Sequence, residues 1–292
     1  MRNRLKRVGA TLIHAWRRVQ YPVGYSVFAI AISYGLWRAP AEVWQLRPFW
    51  LLSGIGTVLL MFFLQQWQVR LFLRAHGARP DWLYPALFNA RKGILNTVLP
   101  ARSGTLVLLH SLTSQYSIKW HHYLYFSLLA SAASLYISVL ALVWIMWPLS
   151  YSIALLLTSL GLSLFIARFA TFRYAACLPV LLLIALGIFV ATVAVFFCLL
   201  RGLGYSLSVM EISYFAVTLN ALAQVSITPG NIGVREIVMA ITAPYVALPV
   251  SVGIIASSIL LVLRLAVSGV IWGVLEWLLR RAERTDQSTT RT

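Results

Sequence analysis

Apolar runs long enough to cross a bilayer alternate along this chain with short polar stretches in which the arginines and lysines collect. A hydrocarbon core about 30 Å thick takes about 20 residues of helix. On that measure six runs predict membrane spans. The first is short, Tyr21 to Trp37; the second runs from Phe49 to Gln66 and continues amphipathically to Leu73; the others are His122 to Trp147, Tyr151 to Ala167, Cys177 to Leu200 and Val250 to Leu279. Pro148 closes the third, and Trp37 and Trp44 bracket the first loop as interfacial aromatics.

Two apolar stretches break this pattern. Between Trp82 and Leu112 the run is interrupted by Asn89, Arg91, Lys92, Asn96, Pro100, Arg102 and Gly104. Between Ser208 and Leu248 it is interrupted by Thr228-Pro229-Gly230-Asn231-Ile232-Gly233-Val234-Arg235-Glu236. Proline removes a backbone donor and glycine relaxes the chain, so freed amides and carbonyls need protein, water or a ligand as partner. An adjacent Arg-Glu pair is expensive at membrane depth. Each stretch predicts two half-helices joined at a tip, giving one re-entrant hairpin over 82–112 and another over 208–248. The tips either line a polar cavity or turn at the membrane surface.

The two tips are related by position. Pro229 follows Pro100 by 229 − 100 = 129, and the same offset carries Gly104 to Gly233, Tyr21 to Ser150, Phe49 to Leu178 and His122 to Ser251. Each half then reads span, span, hairpin, span. Three spans is an odd number, so the halves are expected to be inverted, with one hairpin entering from each face and the tips meeting near the midplane. The predicted architecture is all-α: six spans, two re-entrant hairpins and two inverted repeats. Residues 1–20 form a basic arm, 21–148 the first repeat, 149–279 the second, and 280–292 a polar tail with no helix signal, expected to be disordered.

Composition confirms the class: 60% of residues are hydrophobic and only 11% charged, where globular chains carry about 25% charged residues. The net charge of +17 would suggest nucleic acid in a soluble protein. Here its distribution argues otherwise. Arg2, Arg4, Lys6, Arg7, Arg17 and Arg18 precede the first span with no acid among them, which fits a cytoplasmic amino terminus on anionic lipid. Threading six spans from that start puts Arg70, Arg74, Arg79, Arg91, Lys92, Lys119, Arg168, Arg173 and the carboxy-terminal arginines on the cytoplasmic side, with Arg38, Arg47 and Arg201 outside. Both termini are expected in the cytoplasm. Cys177 and Cys198 lie 21 positions apart in one apolar run, about 30 Å along a helix, and cannot bridge each other.

Pro100-Ala101-Arg102-Ser103-Gly104, preceded by Asn96, and the segment Thr228 to Glu236 together resemble the paired signatures of the lysylphosphatidylglycerol synthase transmembrane-region family, a flippase-like membrane domain found alone or fused to an aminoacyl transferase. The resemblance covers nearly the whole chain. It implies a bacterial or archaeal inner-membrane protein that moves a polar-headed lipid, a phospholipid or a polyprenyl-linked lipid, between leaflets. A stand-alone membrane domain is expected, without a soluble transferase domain after the sixth span, and Asn231 stands where family members often have glycine.

The candidate substrate-binding residues are Arg102, Arg235, Glu236, Asn96, Asn220, Gln224, Thr228 and Asn231, with Pro100, Gly104, Pro229, Gly230 and Gly233 shaping the tips. Arg102 and Arg235 could grip a phosphodiester bidentately. Alternatively Arg235 pairs with Glu236 or Glu211, and Arg102 snorkels. Glu236 neutralises Arg264 or Arg235, or receives a cationic headgroup or a coupling proton. Asn220 and Gln224, four apart, share a helix face, as do residues that bridge helices. Arg91 and Lys92 attract headgroups or simply anchor the cytoplasmic mouth. His110, His121 and His122 have no acid or cysteine at metal spacing, so no metal site is expected. With no P-loop and no nucleophile beside a base, no nucleotide cofactor and no catalytic residue is expected. The expected function is lipid translocation; the alternative is a non-transporting partner that presents lipid to a separate glycosyl- or aminoacyl-transferase. Nucleic acid is not expected as a partner.

Overall fold

The computed structural model describes residue 22 and residues 25–41, 47–78, 81–98, 103–169, 174–224 and 228–289. These residues are helical with short connections: α1 Tyr25–Trp37, α2 Pro48–Ala75, α3 Leu83–Val98, α4 Ser103–Tyr116, α5 Trp120–Met146, α6 Leu149–Phe169, α7 Leu178–Gly202, α8 Val209–Gln224, α9 Val234–Thr242 and α10 Val250–Thr289. Among them α2, α5, α6, α7 preceded by its Ala175–Cys177 turn, and α10 as far as Arg281 are long and apolar enough to cross a membrane. Their outer faces carry exposed large side chains such as Leu52, Phe63, Leu128, Leu157 and Val262, and Trp120, Trp147 and Trp277 stand exposed near helix ends. Apolar faces of this kind belong against lipid, with tryptophan at its edges. The chain is a multi-pass helical membrane protein.

The described part of α1 has 13 residues, about 20 Å of helix. One expectation changes. The polar tail is not irregular: α10 continues through Arg280, Arg281 and beyond to Thr289, because Arg, Ala, Glu and Gln propagate a helix already nucleated by the apolar span. The basic arm 1–20 lies outside the described residues.

Contacts at the ends set the directions. The Arg47 amide donates to the Gly202 carbonyl, joining the start of α2 to the end of α7. At the other end the Tyr174 hydroxyl lies 3.1 Å from His76 Nε2, just past α2, and donates to the His122 carbonyl at the start of α5. So α5 and α7 run parallel and α2 runs against them. α2 packs most extensively on α7, α3 packs on α10, and α5 packs on α8. Their apolar faces fill two cores, one around Phe196, Phe215, Met239 and Leu260, the other around Phe72, Phe126, Leu108 and Leu181. Both cysteines are free and buried, one at each end of the α7 region.

Short helices α8 and α9 begin with defined caps. The Ser208 amide and hydroxyl both donate to Glu211 Oε2, at 2.8 and 2.7 Å, and the Ser208 hydroxyl in turn accepts the Glu211 amide. This is a reciprocal capping box. The Ser208 donors hold the Glu211 carboxyl below the ordinary glutamate range. A lowered folded pKa contributes stability that is present above the unfolded pKa and lost as pH falls through the folded one. Ser208→Ala should lower stability by about 1 kcal/mol near neutral pH. It should also weaken the acid dependence between those two pKa values; equal slopes of thermal midpoint against pH in variant and parent would contradict the role.

Candidate functional site

Both broken stretches fold as helical pairs. α3 and α4 pack together, and their contact is so close that a Cβ on Gly104 would sit 2.4 Å from the Lys92 carbonyl oxygen. Asn96 braces the crossing, its Oδ1 accepting the Thr105 amide at 3.1 Å, one of the unpaired donors in the first turn of α4. Pro100 and Arg102 lie outside the described residues. In the second pair a turn at Pro229–Asn231 joins α8 to α9, with Gly230, Asn231 and Gly233 all at positive φ. The Thr228 hydroxyl donates to the Ile232 carbonyl, and Asn231 Nδ2 donates to the Leu222 carbonyl at the end of α8. Gly230 meets the other pair directly, since a Cβ there would stand 2.9 Å from Thr97 Cα.

Arg235 and Glu236 start α9 with a closed cluster. Glu236 Oε2 accepts the Gly233 amide at 2.8 Å, and Oε1 accepts from Arg235 at 2.7 Å and from the Ser257 hydroxyl of α10. Arg235 Nε donates to the same Ser257 hydroxyl at 2.8 Å. Arg235 is 4% exposed, Glu236 and Ser257 0%. The two charges neutralise each other inside the protein, and neither lines the cavity described next.

That cavity, of about 410 Å³, lies between the α3–α10 pair and the α5–α8 pair, with α2 and α7 as its back wall. Its lining occupies only the first half of α5 and α7, from Tyr123 to Ser134 and from Leu181 to Ile188, and on the antiparallel α2 the stretch Val58 to Val69. It therefore runs from the His76–Tyr174 end of the bundle to about mid-length, where α8 closes it with Leu219, Asn220, Ala223 and Gln224. Of the candidate residues, Asn96, Asn220 and Gln224 face this cleft; Thr228, Asn231, Arg235 and Glu236 do not.

The cations that do face it are Lys92 and Arg264. Lys92 makes no ion pair or hydrogen bond with a described residue. Arg264 makes one hydrogen bond among the described residues, Nη2 to the Met61 sulfur at 3.9 Å. No aspartate or glutamate is among the described lining residues. Neighbouring Arg91, by contrast, turns to the other side of α3 and pairs with Glu276, which also receives Trp272 Nε1 and Arg280. The remaining polar lining is neutral, from Gln65, Gln68, Asn89, Thr97, Thr105, Ser127, Ser131, Ser134 and Ser268. Asn89 donates to the Phe62 carbonyl, and Gln224 reaches the Ser134 hydroxyl at 3.4 Å.

Several of these residues escape a reading by single motifs. A signal exists in register: Ser127, Ser131 and Ser134 recur at helical spacing, as do Asn89, Lys92, Gly93, Asn96 and Thr97, and Arg264 with Ser268. Among the described residues no group of three or more His, Cys, Asp or Glu side chains is placed to hold a metal ion. The chain matches no protein-family model, no curated protein and no solved structure.

Proposed function

We propose that the protein is a lipid translocase of the flippase-like type, passing a lipid headgroup that carries a phosphate through the cleft while the acyl or prenyl tails stay in the bilayer. The observation that carries this reading is the pair of unpartnered cations, Lys92 and Arg264, in a half-depth cleft whose described lining holds no carboxylate. Both are half-buried, and a cation at membrane depth without a counter-charge is costly and becomes favourable when an anion supplies the missing partner. Guanidinium and ammonium together suit a phosphodiester, the first as a bidentate donor and the second as a point charge.

The mechanism in this reading is that of two inverted repeats, and the positions of the helices support it. Corresponding helices start at nearly constant offset: 178 − 48 = 130 for α2 and α7, 209 − 83 = 126 for α3 and α8, 234 − 103 = 131 for α4 and α9, 250 − 120 = 130 for α5 and α10. Exchanging partners in this way maps the α3–α10 packing onto α8–α5 and leaves α2–α7 on itself, as a pseudo-two-fold axis requires. In this reading α3–α4 and α8–α9 are re-entrant hairpins from opposite faces. The cleft is open to the cytoplasm, both termini are cytoplasmic, and rocking of one packed pair against the other gives access from outside. The setting is a bacterial or archaeal inner membrane, and the step makes and breaks no covalent bond.

Reconstituted into vesicles, the protein should accelerate transbilayer exchange of fluorescent phosphatidylglycerol. Arg264→Gln, which removes no partnered contact except the Met61 sulfur, should slow exchange about tenfold or more while the purified variant stays monodisperse. Wild-type protein that binds the lipid but never accelerates exchange would instead make it a lipid-presenting partner of a separate transferase. Full activity in Arg264→Gln would remove that residue from the mechanism.

A further inference from the structure

The two walls of the cleft differ in chemistry. The α3–α10 wall carries Lys92 and Arg264 beside Thr97 and Ser268, while the α5 wall carries Ser127, Ser131 and Ser134 and no charge. Serine and threonine in these helices mostly return their hydroxyl to the carbonyl four residues earlier, as Ser53, Ser138 and Ser258 do. Ser127 and Ser131 do not: both face the cleft, one helical turn apart, and neither has a hydrogen-bond partner among the described residues. Gln65 and Gln68 on the back wall are unpartnered in the same way. A phosphate offers only acceptors, which the two cations can satisfy. Serine and glutamine each both donate and accept, and a hydroxyl matches both capacities where a phosphate oxygen matches only the first.

Resting on the reading of this cleft as a headgroup site, we infer that the headgroup is a polyol phosphodiester, net negative with free hydroxyls, seated with its phosphate against Lys92 and Arg264 and its hydroxyls against Ser127 and Ser131. A choline, ethanolamine or aminoacyl headgroup brings an ammonium into a cleft that has two cations and no described carboxylate, and is rejected by like charge. A phosphodiester without hydroxyls is accepted by the cation wall but leaves the serines without partners.

The test is competitive retention by native mass spectrometry from micelles doped equally with three lipids of identical acyl chains: phosphatidylglycerol, phosphatidylmethanol and phosphatidylcholine. The first two share one negative charge and differ in the hydroxyls. Phosphatidylglycerol should be retained about fivefold over phosphatidylmethanol, the effect of about one net hydrogen bond, and phosphatidylcholine least. The double variant Ser127→Ala/Ser131→Ala should bring phosphatidylglycerol and phosphatidylmethanol to equal retention, and Arg264→Gln should lower both. Equal retention of all three lipids by the parent protein, or a hydroxyl preference that survives the double variant, overturns the inference. Retention as expected without transbilayer exchange keeps the inference and removes the translocase reading. Exchange without headgroup preference does the reverse. Displacement of phosphatidylglycerol by soluble glycerophosphate at equal concentration would keep the polyol-phosphate chemistry and make the ligand a soluble one.

Discussion

Glu236→Ala should yield little folded protein. It leaves Arg235 inside the bundle with the Ser257 hydroxyl as its remaining acceptor and leaves the Gly233 amide, at the start of α9, without its carboxylate. Stranding one member of a buried pair is worth about 3–5 kcal/mol of destabilisation, a large part of the stability of most domains. The measurement is the thermal midpoint and the monodisperse fraction after extraction. Arg235→Ala should behave similarly, because Glu236 then keeps a charge with only the Ser257 hydroxyl and the Gly233 amide around it. Replacing both residues by apolar ones of similar volume should recover part of the loss. A ligand-binding role would give the opposite pattern, with single variants folding normally and losing only transport. The expected asymmetry with Arg264→Gln, which folds and fails to transport, separates the structural arginine from the functional one.

The second large effect is expected at Gly104. Any Cβ there would fall 2.4 Å from the Lys92 carbonyl and 2.8 Å from Asn96 Oδ1, and the first of these is backbone that cannot swing aside. Gly104→Ala should force α3 and α4 apart and displace both Lys92 and the Asn96 brace, at a cost of about 1–3 kcal/mol or more from overpacking. Phosphatidylglycerol retention should fall even in the fraction that folds. Gly161→Ala is the control, since a Cβ there meets nothing within 4 Å and alanine favours the helix by about 0.5–1 kcal/mol. Equal midpoints for the two variants would show that the close crossing does not hold the hairpin together.

These contrasts follow where sequence reasoning worked and where it could not. The spans were legible because hydropathy and helix length are local properties: α5, α6 and α7 begin and end within a few residues of the runs that predict them. The second break is legible too, because Pro229, Gly230 and Gly233 act on their own backbone. The tail departs from the expected irregularity, since a polar segment with no helix signal of its own remains helical when it extends a nucleated span. Within the candidate site the alternatives that sequence leaves open concern partners. Arg235 and Glu236 attract notice as charges at membrane depth, yet charge alone does not say whether a counter-ion is already bound. Arg264 looks like one more buried arginine, and Arg91 and Lys92 look alike as neighbours. A helix turns about 100° per residue, so adjacent side chains point apart, and Arg91 meets Glu276 while Lys92 meets the cleft.

The amino-acid sequence by itself determined that this chain is helical and membrane-embedded and that its second interrupted stretch turns at Pro229–Asn231, because those features depend on local hydropathy and backbone chemistry. Only the tertiary structure decided which charges are spent on each other and which face a cavity. That choice depends on the packing of α3 on α10 and α5 on α8, contacts between residues far apart in the chain.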